Sequence, residues 1–173
     1  MSILEKFKSI KTFVFDVDGV MTDGGVQVFD TGEQLRTMNT KDGYCLQLAV
    51  KKGYRILVIS GGSSEGVRLR LKKLGIDDVF LSVENKLEKL REYAREHGLE
   101  EKDMLYMGDD IPDYGVMKQV GLACAPADAA PEIRHIAAYI SSFSGGHGCV
   151  RDVIEKVLKL NGQWELDTSL ASK

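Results

Sequence analysis

Thr12-Phe13-Val14-Phe15-Asp16-Val17-Asp18-Gly19 runs from β-branched and aromatic residues straight into two carboxylates and a glycine. Apolar residues without polar alternation predict a strand over 12–17 that is buried on both faces, as in a parallel sheet. The carboxylates then stand where the chain leaves the strand, the end at which open α/β sheets bind their ligands. Acidic groups this close repel unless a cation or a proton sits between them. Taken alone, Asp-x-Asp-Gly reads as a solvated acidic turn, so the rest of the chain has to decide.

Working outward, residues 55–60 form a second apolar run, and residues 41–52 between the two runs carry an amphipathic pattern that stops at Gly53. That order is strand, helix, strand. The alternation continues with a helix over 63–74, a strand over 78–82, a helix over 86–97 and a strand over 104–107. A helix over 113–120, a strand over 122–125, a helix over 131–137, a strand over 139–141 and a helix over 150–160 complete it. Repeated β-then-α order predicts an α/β fold built on a doubly wound parallel sheet. One segment breaks the rhythm. Val26-Gln27-Val28-Phe29, a turn containing Gly32 and the stretch 34–38 predict a β-hairpin inserted after the first strand, a flap over about residues 24–38. Residues 1–160 are expected to form a single domain. Residues 161–173 are polar and aperiodic, a C-terminal tail ordered only if something holds it.

Composition narrows the function. With 173 residues, 43% of them hydrophobic and 28% charged, the chain fits one globular core that needs no disulfides. Its 23 Lys and Arg against 26 Asp and Glu give a net charge of -3, which offers no global positive field for nucleic acid. Cys45, Cys124 and Cys149 lack zinc-site spacing and read as packing residues in a reducing compartment. No apolar run approaches the ~20 residues of a membrane-spanning helix, and the N-terminus mixes charged with apolar residues, unlike a secretory signal. These features predict a cytoplasmic protein with neither membrane nor nucleic acid as partner.

Three further strand ends carry chemistry. Ser60-Gly61-Gly62 offers a hydroxyl and exposed backbone N–H groups suited to a phosphate oxygen, although serine before two glycines is also an ordinary turn. Lys86 opens a helix, where a cation opposes the macrodipole unless an anion lies nearby; a solvated lysine is the plainer reading. Gly108-Asp109-Asp110-Ile111-Pro112-Asp113 brings more carboxylates to another strand end. Grouped hard oxygen ligands suit Mg²⁺, which takes one or two carboxylates and keeps several waters. Each feature alone is common; their occurrence in order, each at the carboxyl end of a strand, is not.

In that order, Asp16-Val17-Asp18-Gly19, Ser60, Lys86 and Gly108-Asp109-Asp110-x-x-Asp113 resemble the four motifs of haloacid dehalogenase-like phosphatases. The resemblance implies that Asp16 is the nucleophile and Asp18 the general acid and base. It implies that Ser60 and Lys86 hold phosphate oxygens, and that Asp16, Asp109 and the main-chain carbonyl of Asp18 bind Mg²⁺, with Asp113 in support. General chemistry agrees: a carboxylate nucleophile divides the hydrolysis into an aspartyl-phosphate step and a water step.

Members of this superfamily usually carry a cap, between the first two motifs or between the last two. Here the first interval is used by the hairpin and one helix and the second by a helix and a strand, so the chain is read as capless. The hairpin, Asn39-Thr40-Lys41-Asp42-Gly43-Tyr44, Tyr106 to Asp113 and Gly145-Gly146-His147-Gly148 together resemble the family of 3-deoxy-D-manno-octulosonate 8-phosphate phosphatases. That resemblance implies a homotetramer with sites at subunit interfaces and a role in lipopolysaccharide biosynthesis. It also implies substrate contacts from Asp18, Asn39, Thr40, Lys41, Asp42, Gly43, Gly61, Arg70 and Lys86. Two departures stand out: Gly62 and Gln47 occupy positions where many relatives have arginine, the residue that pairs carboxylates bidentately. The nine-carbon substrate 2-keto-3-deoxynonulosonate 9-phosphate is the alternative within the fold, and a non-catalytic phosphate-binding module is the alternative outside catalysis. The presence of both Asp16 and Asp18 argues against the latter.

Overall fold

The computed structural model describes residues 1–171. Six parallel strands form one sheet: β1 (Thr12–Phe15), β4 (Arg55–Ile59), β5 (Val79–Phe80), β6 (Met104–Met107), β7 (Leu122–Ala125) and β8 (Tyr139–Ile140), in the order β5-β4-β1-β6-β7-β8. The first strand therefore lies in the middle. It pairs with β4 on one side and β6 on the other, with Phe15 level with both Val58 and Met107. Winding reverses between β1 and β6, which makes the crevice above their carboxyl ends the topological switch point.

Side-chain alternation along β1 divides the core into two layers. Phe13 and Phe15 pack with α1 (Ile3–Ser9), α2 (Thr40–Lys51), α3 (Glu65–Lys73) and α7 (Cys149–Leu160) on one face. Val14 joins Leu57, Tyr106, Leu90 of α4 (Lys86–His97), Val116 of α5 (Tyr114–Met117) and Ile133 of α6 (Pro131–Ile136) on the other. Each fully buried leucine or isoleucine contributes about 2 kcal/mol relative to exposure.

The hairpin is β2 (Gln27–Val28) paired antiparallel with β3 (Gln34–Leu35), a separate ribbon that stands off the main sheet. Val28, Phe29 and Leu35 on it are exposed. Among the described residues, no cap interrupts either interval: the hairpin and α2 occupy the first, and α4 with a short turn leads to β6 in the second.

Some details differ from the sequence reading. Helix α1 went unpredicted, although Ser2 and Glu5 form a capping box that begins it and Phe7 anchors it edge-on to Tyr139 at 5.2 Å. The helix expected over 113–120 shrinks to α5, because residues 111–113 form a 3₁₀ turn that aims Asp113 inward. Residues 161–171 lie along α2 and α7. Trp164 is gripped by Arg151 and Lys159, Asp167 pairs with Lys51 at 2.5 Å, and Gln47 Nε2 donates to the Ala171 carbonyl at 3.1 Å. What holds the tail is thus polar and charged side chains of α2 and α7, which no apolar period in the tail could reveal. Its last two residues lie outside the described residues.

Candidate active site

At the switch point the chain leaves β1 through Asp16, whose N–H donates to the Met107 carbonyl at 3.1 Å, so the strand pairing itself seats this residue. The following loop is fastened by buried Thr22, which accepts from the N–H groups of Gly19 and Gly24. Gly19 has φ +86, and a Cβ there would stand 2.0 Å from Asp109 Oδ2. Only glycine lets the two acidic loops approach this closely.

Lys86 lies between them. Its Nζ is 3.0 Å from Asp16 Oδ1 and 2.7 Å from Asp113 Oδ1, with 5% of the side chain exposed. Burial works to lower its pKa, but the charges of Asp16 and Asp113 outweigh it and the net shift is upward. The lysine at the start of α4 is therefore turned into an anionic pocket, while Asn85 caps the helix by accepting from the Glu88 N–H. Asp113 is fully committed: Oδ1 also accepts from Tyr106 Oη at 2.6 Å, and Oδ2 accepts from the Asp109 and Asp110 N–H groups.

The acidic charge is not balanced by this lysine. Burial raises Asp16 to about 6, with the negative charge of Asp113 adding to it. Burial also raises Asp109 to about 7, reinforced by Asp16, Asp113 and Asp110. One oxygen each from Asp16, Asp109 and Asp113 lies within 4.8 Å of the others, and Asp109 Oδ1 is buried without a hydrogen-bond partner among the described residues. An orphaned buried carboxylate oxygen beside a second carboxylate fits a hard divalent cation such as Mg²⁺. Since Asp113 has spent its oxygens, Asp16 and Asp109 are the side chains left to hold it.

These residues line a cleft of about 440 Å³ together with Asp18, Ser60, Gly61, Gly62 and Glu84. Ser60 ends β4, and its Oγ accepts from the Gly62 N–H at 3.1 Å, which curls the loop over the cleft floor. Asp16, Asp18, Ser60, Gly61, Lys86 and Asp109 are thus brought together from three strand ends and the start of α4. Asn39, Thr40, Lys41, Asp42, Gly43 and Arg70 do not line this cleft. Asn39 caps α2 and donates to the Gly146 carbonyl at 3.0 Å; Asp42 is buried against the start of α7, accepting from the Arg151 N–H at 2.8 Å. Asn39, Thr40 and Lys41 instead border a separate groove of about 650 Å³ with His147 and Arg151. A Cβ on Gly43 would lie 3.1 Å from Arg70 Nη2, so Arg70 rests against the first turn of α2. The resemblance assigns Asn39 to Gly43 to a sugar-acid pocket and Arg70 to the substrate; the structure places all six outside the Asp16 cleft, with the first turn of α2 against α7 and Arg70 of α3 beside it.

The sequence reading assigned no role to two residues of the site. Tyr106, fully buried in β6, positions Asp113, and a phenol in an otherwise apolar strand is the signal that could have marked it. Arg36, just past β3, pairs with both oxygens of Asp18. Its only clue was its place in a hairpin that follows directly on Asp18.

Comparison with known proteins agrees with this geometry. A family model for haloacid dehalogenase-like hydrolases matches residues 76–151. The 3-deoxy-D-manno-octulosonate 8-phosphate phosphatase KdsC of Escherichia coli (strain K12) is 32% identical over 161 residues, covering 93% of this chain and 86% of that protein. The crystal structure of the corresponding phosphatase from Yersinia pestis superposes with a TM-score of 0.90 at 31% identity, over 93% of this chain and 87% of that one. The Moraxella catarrhalis enzyme, crystallised in complex with magnesium ion, phosphate ion and KDO, gives a TM-score of 0.90 at 33% identity, over 93% of both chains. The chain belongs to the haloacid dehalogenase-like hydrolases, in the family of 3-deoxy-D-manno-octulosonate 8-phosphate phosphatases.

Proposed function

We propose that this protein is a Mg²⁺-dependent phosphatase that hydrolyses 3-deoxy-D-manno-octulosonate 8-phosphate to 3-deoxy-D-manno-octulosonate and phosphate, a step of lipopolysaccharide biosynthesis. The observation that carries this reading is the convergence of Asp16, Lys86 and the orphaned Asp109 oxygen at the carboxyl ends of the central strands, in a chain over 30% identical to such enzymes along nearly its whole length. Asp16, Asp109 and, as in the family, the main-chain carbonyl of Asp18 would hold Mg²⁺, which would supply Lewis-acid stabilisation of charge on the phosphoryl group.

The chain's own residues do the rest. Ser60 and the Gly61 N–H bind phosphoryl oxygens, and Lys86 neutralises their charge. One oxygen of Asp16 attacks phosphorus, the ester P–O bond breaks, and Asp18 delivers a proton to the leaving oxygen. Asp18 then takes a proton from water as it attacks the aspartyl phosphate, which returns Asp16 to the carboxylate. Asp113 and Tyr106 keep Lys86 aimed throughout.

Asp16→Asn removes the nucleophilic oxygen and is expected to abolish phosphate release, measured with the eight-carbon ester and, side by side, the nine-carbon one. Turnover near the wild-type rate in this variant would exclude the aspartyl-phosphate route.

We infer a cytoplasmic enzyme working as a homotetramer. Three buried free thiols support the reducing compartment. No helix among the described residues is long and apolar enough to cross a membrane. The exposed apolar ribbon and the uncapped cleft support the assembly.

A further inference from the structure

Arg36 belongs to the exposed hairpin segment, yet only 7% of its side chain is exposed. Its guanidinium reaches back to the cleft, with Nε 2.6 Å from Asp18 Oδ1 and Nη2 3.1 Å from Asp18 Oδ2. Nη2 is also 3.3 Å from Gln34 Oε1. The group lies across the face of Gly62: a Cβ built there would stand 3.3 Å from Arg36 Nη2, 3.2 Å from Asp18 Oδ2 and 3.5 Å from Ser60 Oγ. The space above the phosphate-binding loop, where the organic part of a phosphate ester leaves the cleft, is therefore given to this guanidinium.

Charge decides what it is for. Six carboxylates line the cleft, and its lining cation, Lys86, is taken up by Asp16, Asp113 and the phosphoryl group, which leaves it nothing for a second acid group. An ester that carries a carboxylate besides its phosphate meets repulsion here unless a second cation receives it. Arg36 is placed to do so, and its planar fork is already arranged around a carboxylate, that of Asp18.

We propose that Arg36 is the specificity-determining residue for the acid group of the substrate, exchanging the carboxylate of Asp18 for that of the sugar acid. This rests on the phosphatase reading above and deepens it. The exchange replaces one bidentate ion pair by another, so it leaves the guanidinium satisfied and frees the Asp18 oxygens to face the ester oxygen. A neutral ester offers the guanidinium nothing in return and leaves Asp18 tethered. Acid esters are thus favoured by a differential interaction rather than by tighter phosphate binding.

The test compares kcat/KM for 3-deoxy-D-manno-octulosonate 8-phosphate with that for p-nitrophenyl phosphate in the Mg²⁺-loaded full chain. In Arg36→Ala the acid-to-neutral ratio is expected to fall at least tenfold, and Arg36→Lys, which keeps the charge but loses the fork, to recover part of it. Inhibition of p-nitrophenyl phosphate hydrolysis by the free sugar acid is expected to weaken in parallel. Equal losses on both esters, with the ratio and the inhibition preserved, overturn the assignment and leave Arg36 acting only through Asp18. A wild-type chain that hydrolyses both esters but shows no change of ratio in either variant sinks the assignment alone. A wild-type chain that releases phosphate from neither sinks the phosphatase reading with it.

Discussion

Gly19 and the Tyr106 phenol decide how closely acidic groups can gather in this cleft. The Asp109 carboxylate sits where a side chain on residue 19 would have to go, so Gly19→Ala must push it aside. The backbone penalty of alanine at φ +86 is about 1 kcal/mol, too small to unfold a domain of this size. The larger effect is expected in rate: a loss of at least a hundredfold, with the Mg²⁺ concentration for half-maximal velocity moved upward. Initial rates across a Mg²⁺ titration, alongside a thermal melt that stays cooperative, check this, and an unchanged Mg²⁺ dependence would refute the packing argument. At this scale the sequence was most legible where chemistry requires a residue type at a strand end: Asp16, Ser60, Lys86 and Asp109 stand together. It was least legible where a partner comes from elsewhere in the chain. Nothing near Arg36 in sequence says that its side chain folds back on Asp18, and nothing near Asp42 says that α7 covers it.

The junction of α2 and α7 makes that second case measurable. Asp42, 3% exposed, accepts from the Arg151 N–H through Oδ1, while Oδ2 has no hydrogen-bond partner among the described residues. Burial pushes its pKa up from 3.8 to about 6, against the lowering effect of the N–H groups at the start of α7 and of Arg151. The fold therefore favours the protonated acid: the stabilisation is fully present below pH 3.8 and is lost as pH rises through about 6. Asp42→Asn cannot ionise. Relative to wild type, the variant is expected to gain on the order of 2 kcal/mol between pH 4 and pH 7. Urea unfolding midpoints of the two proteins at both pH values measure it, and a difference that does not change with pH would refute it. The helices themselves were readable from periodicity and glycine stops, with α2 and α4 found almost to the residue. Short elements were not: α1 is held by one aromatic anchor and α5 by the turn that aims Asp113, and neither is long enough to show a period.

At the scale of the whole molecule, no element among the described residues closes the cleft. The ribbon formed by β2 and β3 projects from the sheet with Val28 68% and Phe29 47% exposed, and a two-stranded hairpin has little stability unless another surface covers it. Apolar side chains at the tip of such a ribbon gain most by meeting copies of themselves, and closed symmetric assembly is the usual outcome for an identical patch on every subunit. If the hairpins meet at the centre of a tetramer, each is held rigid at its tip while its base carries Arg36 over Asp18. Assembly and substrate selection are then one device. Val28→Lys combined with Phe29→Lys places like charges at that centre without touching the cleft. The measured mass in solution is expected to fall from four chains to one, with the preference for acid over neutral esters falling alongside it. A doubly substituted protein that stays tetrameric, or a monomer that keeps full activity and full preference, would show that the ribbon selects substrate without any neighbour.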